Sequence, residues 1–263
     1  MMARMNNEGR VRVGIGGWVF PPWRGVLYPA GLTQARELAY ASRQVTAIEI
    51  NGTFYGSQKP ESFRRWHDET PEDFIFSLKG PRFVTHRRDL ATAGPSIERF
   101  FDSGVLELRD KLGPILWQFA PLLRFDEAGF GEFLGLLPRE ADGRPLRHIV
   151  EVRHASFAAP AFFALLQQHK VAVALVDDEK FPAFANITAD FVYARLRRCS
   201  LDEPSGYSPE VLDAWAGRAR DWAKSGLDCF VYFINGAKVR APAAAAALLA
   251  RLAPPTAGSA SAT

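Results

Sequence analysis

The chain has 263 residues, of which 48% are hydrophobic, and a formal net charge of +3. That length fits one large α/β barrel or two small domains, and the apolar fraction excludes a disordered chain. The small positive charge permits an anionic ligand but falls short of the basic excess typical of a nucleic-acid binder.

Taken in order, Met1 to Arg10 is polar and lacks the apolar core of a signal peptide. It reads as a flexible N-terminus, 1–10, ahead of a domain spanning 11–252. Val11–Ile15 is a first strand, ended by Gly16-Gly17-Trp18 and Pro21-Pro22. Thr33 is placed to cap a helix over 34–42. Ala47–Asn51 is a second strand, and Pro60 opens a helix that runs to about Glu69. Phe74–Lys79 is a third strand, stopped by Gly80-Pro81, with a basic connection (Arg82, His86, Arg87, Arg88) and a helix over 96–112 behind it. Ile115–Phe119 is a fourth strand, Asp126 caps a helix to Leu137, and His148–Arg153 is a fifth strand. Pro160–His169 is helical and Val171–Val176 is a sixth strand, followed by weak helical pattern over 181–188. Phe191–Arg195 is a seventh strand, and Ser208-Pro209 starts a helix to about Ser225. Cys229–Ile234 is an eighth strand, Pro242–Leu252 a last helix, and 253–263 reads as a disordered tail.

Strands alternating with helices over this length predict a single (β/α)8 barrel of the TIM type, ahead of an open doubly wound sheet. No apolar run reaches about 18 residues, so no membrane span is expected. Cys199 and Cys229 give neither a disulfide framework nor metal-ligand spacing, and a reducing cytoplasm is the expected compartment.

In such a fold both faces of a strand are covered, so the alternation Ala47-Ile48-Glu49-Ile50-Asn51 sends Glu49 and Asn51 into protein. A buried carboxylate needs a partner. The same parity puts Ser77 and Lys79 inward on the third strand, Gln118 on the fourth, and Glu151 and Arg153 on the fifth. Asp177 ends the sixth, Tyr193, Arg195 and Arg197 share a face of the seventh, and Val231, Phe233 and Asn235 share a face of the eighth. Gly14, Gly16 and Trp18 share one on the first. These polar groups fall late in their strands, where barrel enzymes build their sites. Glu49 and Glu151 are therefore expected to pair with Lys79, Arg153 or Arg195, and the bases to await a ligand. The competing structural reading is an inert ion network that closes the barrel.

Other signals are weaker. Gly14-x-Gly16-Gly17 lacks the following helix of a dinucleotide loop, and no cofactor can be named. His154, beside Glu151 and Arg153, reads as a general acid–base or as a hydrogen-bonded structural histidine. Trp18, Trp23, Tyr28, Phe54 and Tyr55 either stack on a ligand or form a loop core. Too few histidines fall at strand ends for a metal centre. Lys79 as an imine-forming lysine is a minor option, since neighbouring acids oppose it.

Long ordered motifs also match a known family. Gly16-Gly-Trp-Val-Phe-Pro-Pro-Trp-Arg-Gly25, Ile48-Glu-Ile-Asn-Gly-Thr-Phe-Tyr55, Phe76-Ser-Leu-Lys-Gly-Pro-Arg82, Leu112-Gly-Pro-Ile-Leu-Trp-Gln-Phe119 and Val150-Glu-Val-Arg-His154 resemble the family known as domain of unknown function 72, the YecE-like proteins. The resemblance implies a TIM-type barrel and no established reaction. It places Trp18, Glu49, Asn51, Thr53, Tyr55, Lys79, Gln118, Glu151, Arg153 and His154 on motif positions. The chain departs late: Arg195-Leu-Arg-Arg198 stands where the family commonly has Arg-Leu-His-Gly, Ile234 interrupts Tyr-Phe-Asn-Asn, and Ala244 replaces an asparagine.

The functional expectation is an enzyme acting on a small anionic ligand, phosphorylated or carboxylated and sugar- or nucleotide-like. Glu49, Glu151, His154 and Lys79 are the catalytic candidates. Trp18, Asn51, Tyr55, Gln118, Arg153, Asp177, Arg195 and Asn235 are the binding candidates. The alternatives are a nucleic-acid-binding or processing protein and a non-catalytic sensor or scaffold. Oligomeric state is not legible.

Overall fold

The computed structural model describes residues 8–254. The expected segments 1–10 and 253–263 lie largely outside that range. Where the chain enters it, the Gly9 N–H donates to the Ala223 carbonyl and the Arg10 N–H to Asp228, each at 2.8 Å.

The first strand (Val11–Gly16) pairs in parallel with the second (Ala47–Ile50) on one side and with the eighth (Asp228–Phe233) on the other. From the second, parallel pairing continues to the third (Ile75–Lys79), the fourth (Leu112–Gln118) and the fifth (His148–Glu151). The seventh (Phe191–Leu196) pairs with the eighth. The sixth closes the ring in two pieces. Ala172–Val173 bonds to the fifth strand, and Leu175–Asp177 bonds to the seventh. The two pieces stand at opposite ends of the nine-membered strand order, so the sheet is a nearly closed barrel whose sixth stave is broken at Ala174. Beside the break, Thr188 stands in for a neighbouring strand: its hydroxyl accepts from the Val173 N–H at 3.1 Å and donates to the Val171 carbonyl at 2.8 Å.

Helices cover the outside at Pro60–Glu69, Gly94–Asp102, Glu127–Gly135, Pro160–His169, Pro209–Lys224 and Ala241–Leu252. Prolines open several of them, where the missing N–H has no helical partner anyway. Asp126 and Ser208 cap as expected, accepting from the Gly129 and Val211 N–H groups. Among the described residues no helix is long and apolar enough to cross a membrane.

The local expectations fail in four places. Thr33 makes no side-chain cap, and the helix behind it is a 3-10 turn (Gln34–Arg36) run into a short α-helix (Glu37–Ala41). The helix expected over 96–112 stops at Asp102, because Gly104 turns left-handed (φ 99°) and Arg109 kinks the 3-10 run after it (φ 50°). That releases Leu112 to start the fourth strand three residues early. A small antiparallel hairpin, Glu140–Ala141 with Arg144–Pro145, is additional; its Asp142-Gly143 tip has both φ positive, as a type I′ turn requires. The fourth is the eighth strand's inward face. Phe230, Tyr232 and Ile234 point into the barrel, whereas Val231 and Phe233 belong to the layer between sheet and helices. Both faces of this strand are apolar, so alternation could not say which was inside.

The barrel interior is thus an apolar floor under a polar mouth. Tyr232 and Tyr193 pack together inside it, ring centroids 5.1 Å apart and planes tilted by 37°, and the Tyr232 hydroxyl meets Ser77 Oγ at 2.8 Å. Gly14 makes room for them. A Cβ there would sit 2.2 Å from the Ala47 carbonyl oxygen and 2.8 Å from the Tyr232 ring. Gly14→Ala is expected to destabilise the fold by roughly 1–3 kcal/mol, as overpacking of a filled core does. Urea unfolding checks this, and an unchanged midpoint would mean that the tyrosine layer gives way freely.

Candidate active site at the barrel mouth

The second, fifth and seventh strands are far apart in sequence, yet each sends its penultimate or last inward residue to the same point. Glu49, Glu151 and Arg195 meet there, each no more than 2% exposed. Arg195 grips Glu49 with two donors, Nε to Oε2 at 2.9 Å and Nη2 to Oε1 at 2.8 Å, while its Nη1 donates to Glu151 Oε2. The fork geometry of a guanidinium suits such bidentate pairing. The Tyr193 hydroxyl donates to Glu49 Oε2 at 2.8 Å. On the other flank, Glu151 Oε1 accepts from Gln118 Nε2 at 2.7 Å and from Arg153 Nε and Nη2 at 3.0 and 2.8 Å. The buried carboxylate inferred from the alternation at 47–51 therefore has its partner, and the partner is Arg195.

Burial alone would push Glu151 up, but Arg195 and Arg153 outweigh it and hold the carboxyl down to about 2. Burial would lower Arg195, and Glu151 with Glu49 more than offset that, so the guanidinium is firmly charged. Two carboxylates and two guanidiniums balance within this network, and two further cations stand beside it.

Lys79 is the first of these. Its Nζ lies 3.6 Å from the centroid of the Phe54 ring, and it makes no hydrogen bond or ion pair among the described residues. Burial, with Arg195 next, pulls the amine down to about 8, and Glu49 and Glu151 oppose that only in part. Arg197 is the second. Its Nη1 sits 3.0 Å from Asp178 Oδ2, off the direction of a good hydrogen bond, and its Nε is buried without an acceptor among the described residues. With the Asn235 amide turned so that its oxygen faces Arg197, Nη2 donates to it at 3.1 Å. The Phe181 ring is near two guanidiniums, its centroid 4.7 Å from that of Arg153 and 5.6 Å from that of Arg197. A depression of about 640 Å³ at this rim is lined by Asp178, Phe181, Arg197, Arg198 and Asn235, among others.

The remaining expected residues scatter. Gly17 turns with φ 73°, and Trp18 leaves the mouth to pack edge-on against Trp66 at 5.1 Å. Asn51 lies just past its strand, its amide 3.4 Å from the Glu49 carbonyl. Tyr55 is 73% exposed, edge-on to Phe54 on the outer rim. Asp177 pairs in register with Leu196, on the outward parity, and accepts from the Tyr207 hydroxyl at 3.2 Å. Burial, partly opposed by Arg198, raises its carboxyl. Asn235 is exposed and reaches the site through Arg197 alone. His154 caps a 3-10 turn: its Nδ1 accepts from the Ser156 N–H at 3.1 Å, and no hydrogen bond joins it to Glu151.

Four contributors stand outside the candidate site residues, although the sequence placed Tyr193 on the inward face, Phe54 among the stacking aromatics and His86 in the basic connection. Tyr193 shares the face of Arg195, and that alternation was its signal. Phe54 follows the second-strand motif. Phe181 has no periodic signal at all. His86 packs edge-on to Phe54 at 5.5 Å, and burial with Lys79 and Arg153 lowers its pKa. In the basic connection, Arg87 is spent on the carbonyls of Phe83 and Thr92 and on Ser96 rather than held out to solvent. Among the described residues no cluster of three or more His, Cys, Asp or Glu could hold a metal ion.

A TIM-type barrel whose carboxyl-end mouth is organised by a buried carboxylate–guanidinium network is the class these features define. Residues 12–262 match the family described as protein of unknown function DUF72, and the chain belongs to that family. It is 29% identical over 157 residues to UPF0759 protein YecE of Escherichia coli K12, a match covering 57% of this chain and 50% of that protein. It is 27% identical over 116 residues to UPF0759 protein YunF of Bacillus subtilis, covering 42% of this chain and 40% of that one. The chain thus spans half or less of the length of these curated relatives. Among solved structures, a DUF72 family protein from Thermotoga maritima superposes with a TM-score of 0.72 at 25% identity, covering 92% of this chain and 98% of that one. A xylose isomerase-like TIM barrel fused to a 4-hydroxyphenylpyruvate dioxygenase shares the fold, with a TM-score of 0.53 at 16% identity over 90% of this chain and 41% of that one.

Proposed function

We propose that the protein is an enzyme that binds a small phosphorylated or carboxylated ligand, sugar- or nucleotide-like in size, at the carboxyl-end mouth of the barrel. The observation that carries this reading is the Arg197 guanidinium, with Nε and Nη1 buried and without a hydrogen-bond partner among the described residues, and with Phe181 near both it and Arg153. A buried unsatisfied donor is costly, and an oxyanion supplies the acceptor that it lacks. Glu151, already saturated with donors, holds Arg153 and Arg195 in place. Proton transfer then falls to Lys79 and His86, the titratable groups at the mouth that are neither capped nor ion-paired in the network.

The test is thermal unfolding against inorganic phosphate, sugar phosphates, nucleotides and short oligonucleotides. A ligand at about a hundred times its Kd adds roughly 2.7 kcal/mol of stability. One phosphorylated or carboxylated class is expected to raise Tm, and Arg197→Ala to abolish the shift. A shift that survives Arg197→Ala, or comes with oligonucleotides alone, would remove this reading.

A further inference from the structure

We infer that Lys79 is a nucleophile that forms an imine with the carbonyl carbon of an anionic aldehyde or ketone bound at the mouth. The inference rests on the anion reading above, and names the reacting group within that ligand class.

The geometry comes first. Every other buried cation in the mouth is committed to a carboxylate or an amide: Arg195 to Glu49 and Glu151, Arg153 to Glu151, Arg197 to Asp178 and Asn235. Lys79 is the exception among the described residues. It ends the third strand, its backbone carbonyl is fixed by the Thr53 hydroxyl at 2.7 Å, and the residue retains 6% exposure. The backbone beneath the amine is thus fixed, and Nζ itself has no hydrogen-bond or ion-pair partner among the described residues. A lysine kept only as a counter-ion would sit against Glu49 or Glu151; Arg195 and Arg153 occupy those oxygens instead. Beneath the amine is the face of Phe54, which offers no proton acceptor but does stabilise a cation.

Such surroundings suit an amine that must be neutral to attack and positive afterwards. Burial and the neighbouring guanidiniums hold the neutral form within reach near neutral pH. The lone pair of Nζ attacks the carbonyl carbon and a proton passes from nitrogen to oxygen, giving a carbinolamine. The hydroxyl then takes up a proton from solvent and leaves as water while the C=N bond forms. The product is a protonated imine, and no oxidant or reductant is consumed. Its positive charge lies over Phe54 and within the field of Glu49 and Glu151, and the phosphate or carboxylate of the same molecule is left for Arg197 and Arg153.

The experiment is reductive trapping of the full chain with cyanoborohydride and glyceraldehyde 3-phosphate or glyoxylate, with uncharged glyceraldehyde as comparison. Peptide mass spectrometry reads the site. Lys79 is expected to be labelled at least roughly tenfold faster than the exposed Lys59, Lys180 and Lys224, since burial and Arg195 pull its amine down to about 8. The labelling rate is expected to rise through about pH 8. The charged aldehydes should outpace glyceraldehyde, and Arg197→Ala should erase that advantage. If Lys79 labels no faster than the surface lysines, the imine proposal falls, even where an Arg197-dependent thermal shift leaves the anion reading standing. Fast labelling without preference for charge would keep the imine and remove the anion. The comparison among lysines is made within the unaltered protein, so it does not depend on any variant folding.

Discussion

Arg195→Met is expected to destabilise the protein by about 3–5 kcal/mol, the range for removing one partner of a buried ion pair. The reason lies in what is left behind. Glu49 and Glu151 are both essentially inaccessible, and Arg195 contributes three of the donors that satisfy them. Methionine fills much of the volume but returns no donor, so two carboxylates face each other in a dry barrel with Tyr193, Gln118 and Arg153 as their remaining support. The loss arises from stranded charge and does not measure what the intact network contributes. Urea unfolding at pH 7 reads it directly. A loss under about 1 kcal/mol, the range of exposed pairs, would show that water reaches these carboxylates.

Wild-type stability is expected to fall steeply between about pH 4 and pH 2, by on the order of 3 kcal/mol from Glu151 alone. Burial pushes this carboxyl up, but Arg195 and Arg153 prevail and hold it near 2, below its unfolded value of 4.5. A depressed acid gives its full stabilisation above the unfolded value. That stabilisation is lost as pH falls, because the unfolded chain binds the proton first. Denaturant midpoints at pH 5, 4, 3 and 2 trace the limb. In Arg195→Met the same carboxyl is no longer held down so far, so the limb shrinks and moves to higher pH. A variant with the wild-type acid profile would mean that Arg153 alone sets the Glu151 charge.

How legible this was depends on how regular the backbone is. Glu49, Glu151 and Arg195 were readable because each lies inside a regular strand whose opposite face is plainly apolar, so alternation fixes the direction. Lys79 and Gln118 were readable for the same reason. Alternation loses its meaning where regularity stops. Trp18 lies beyond a left-handed glycine that reverses the parity, and Asp177 follows the break at Ala174. Asn235 sits past a strand that is apolar on both faces. His154 obeys a capping geometry that spacing alone does not reveal. Phe181 belongs to an irregular connection, and its place near Arg153 and Arg197 depends on residues distant in sequence. The family motifs carried the fold and were silent on chemistry, since the residues that they share include both network members and plain loop packing.

The broken sixth stave has a mechanical meaning. A hoop resists opening according to its poorest joint, and here one joint rests on the pairing of Ala172 and Val173 with the fifth strand, and the next on Leu175 to Asp177 with the seventh. A borrowed hydroxyl from Thr188 serves as a rivet on the first piece, at Val171 and Val173. The segment that carries Phe181 to the mouth begins where the second piece ends and finishes at that rivet. The loop that brings Phe181 near Arg153 and Arg197 therefore hangs from the divided stave, while Glu49, Glu151 and Arg195 sit on strands that are each in one piece.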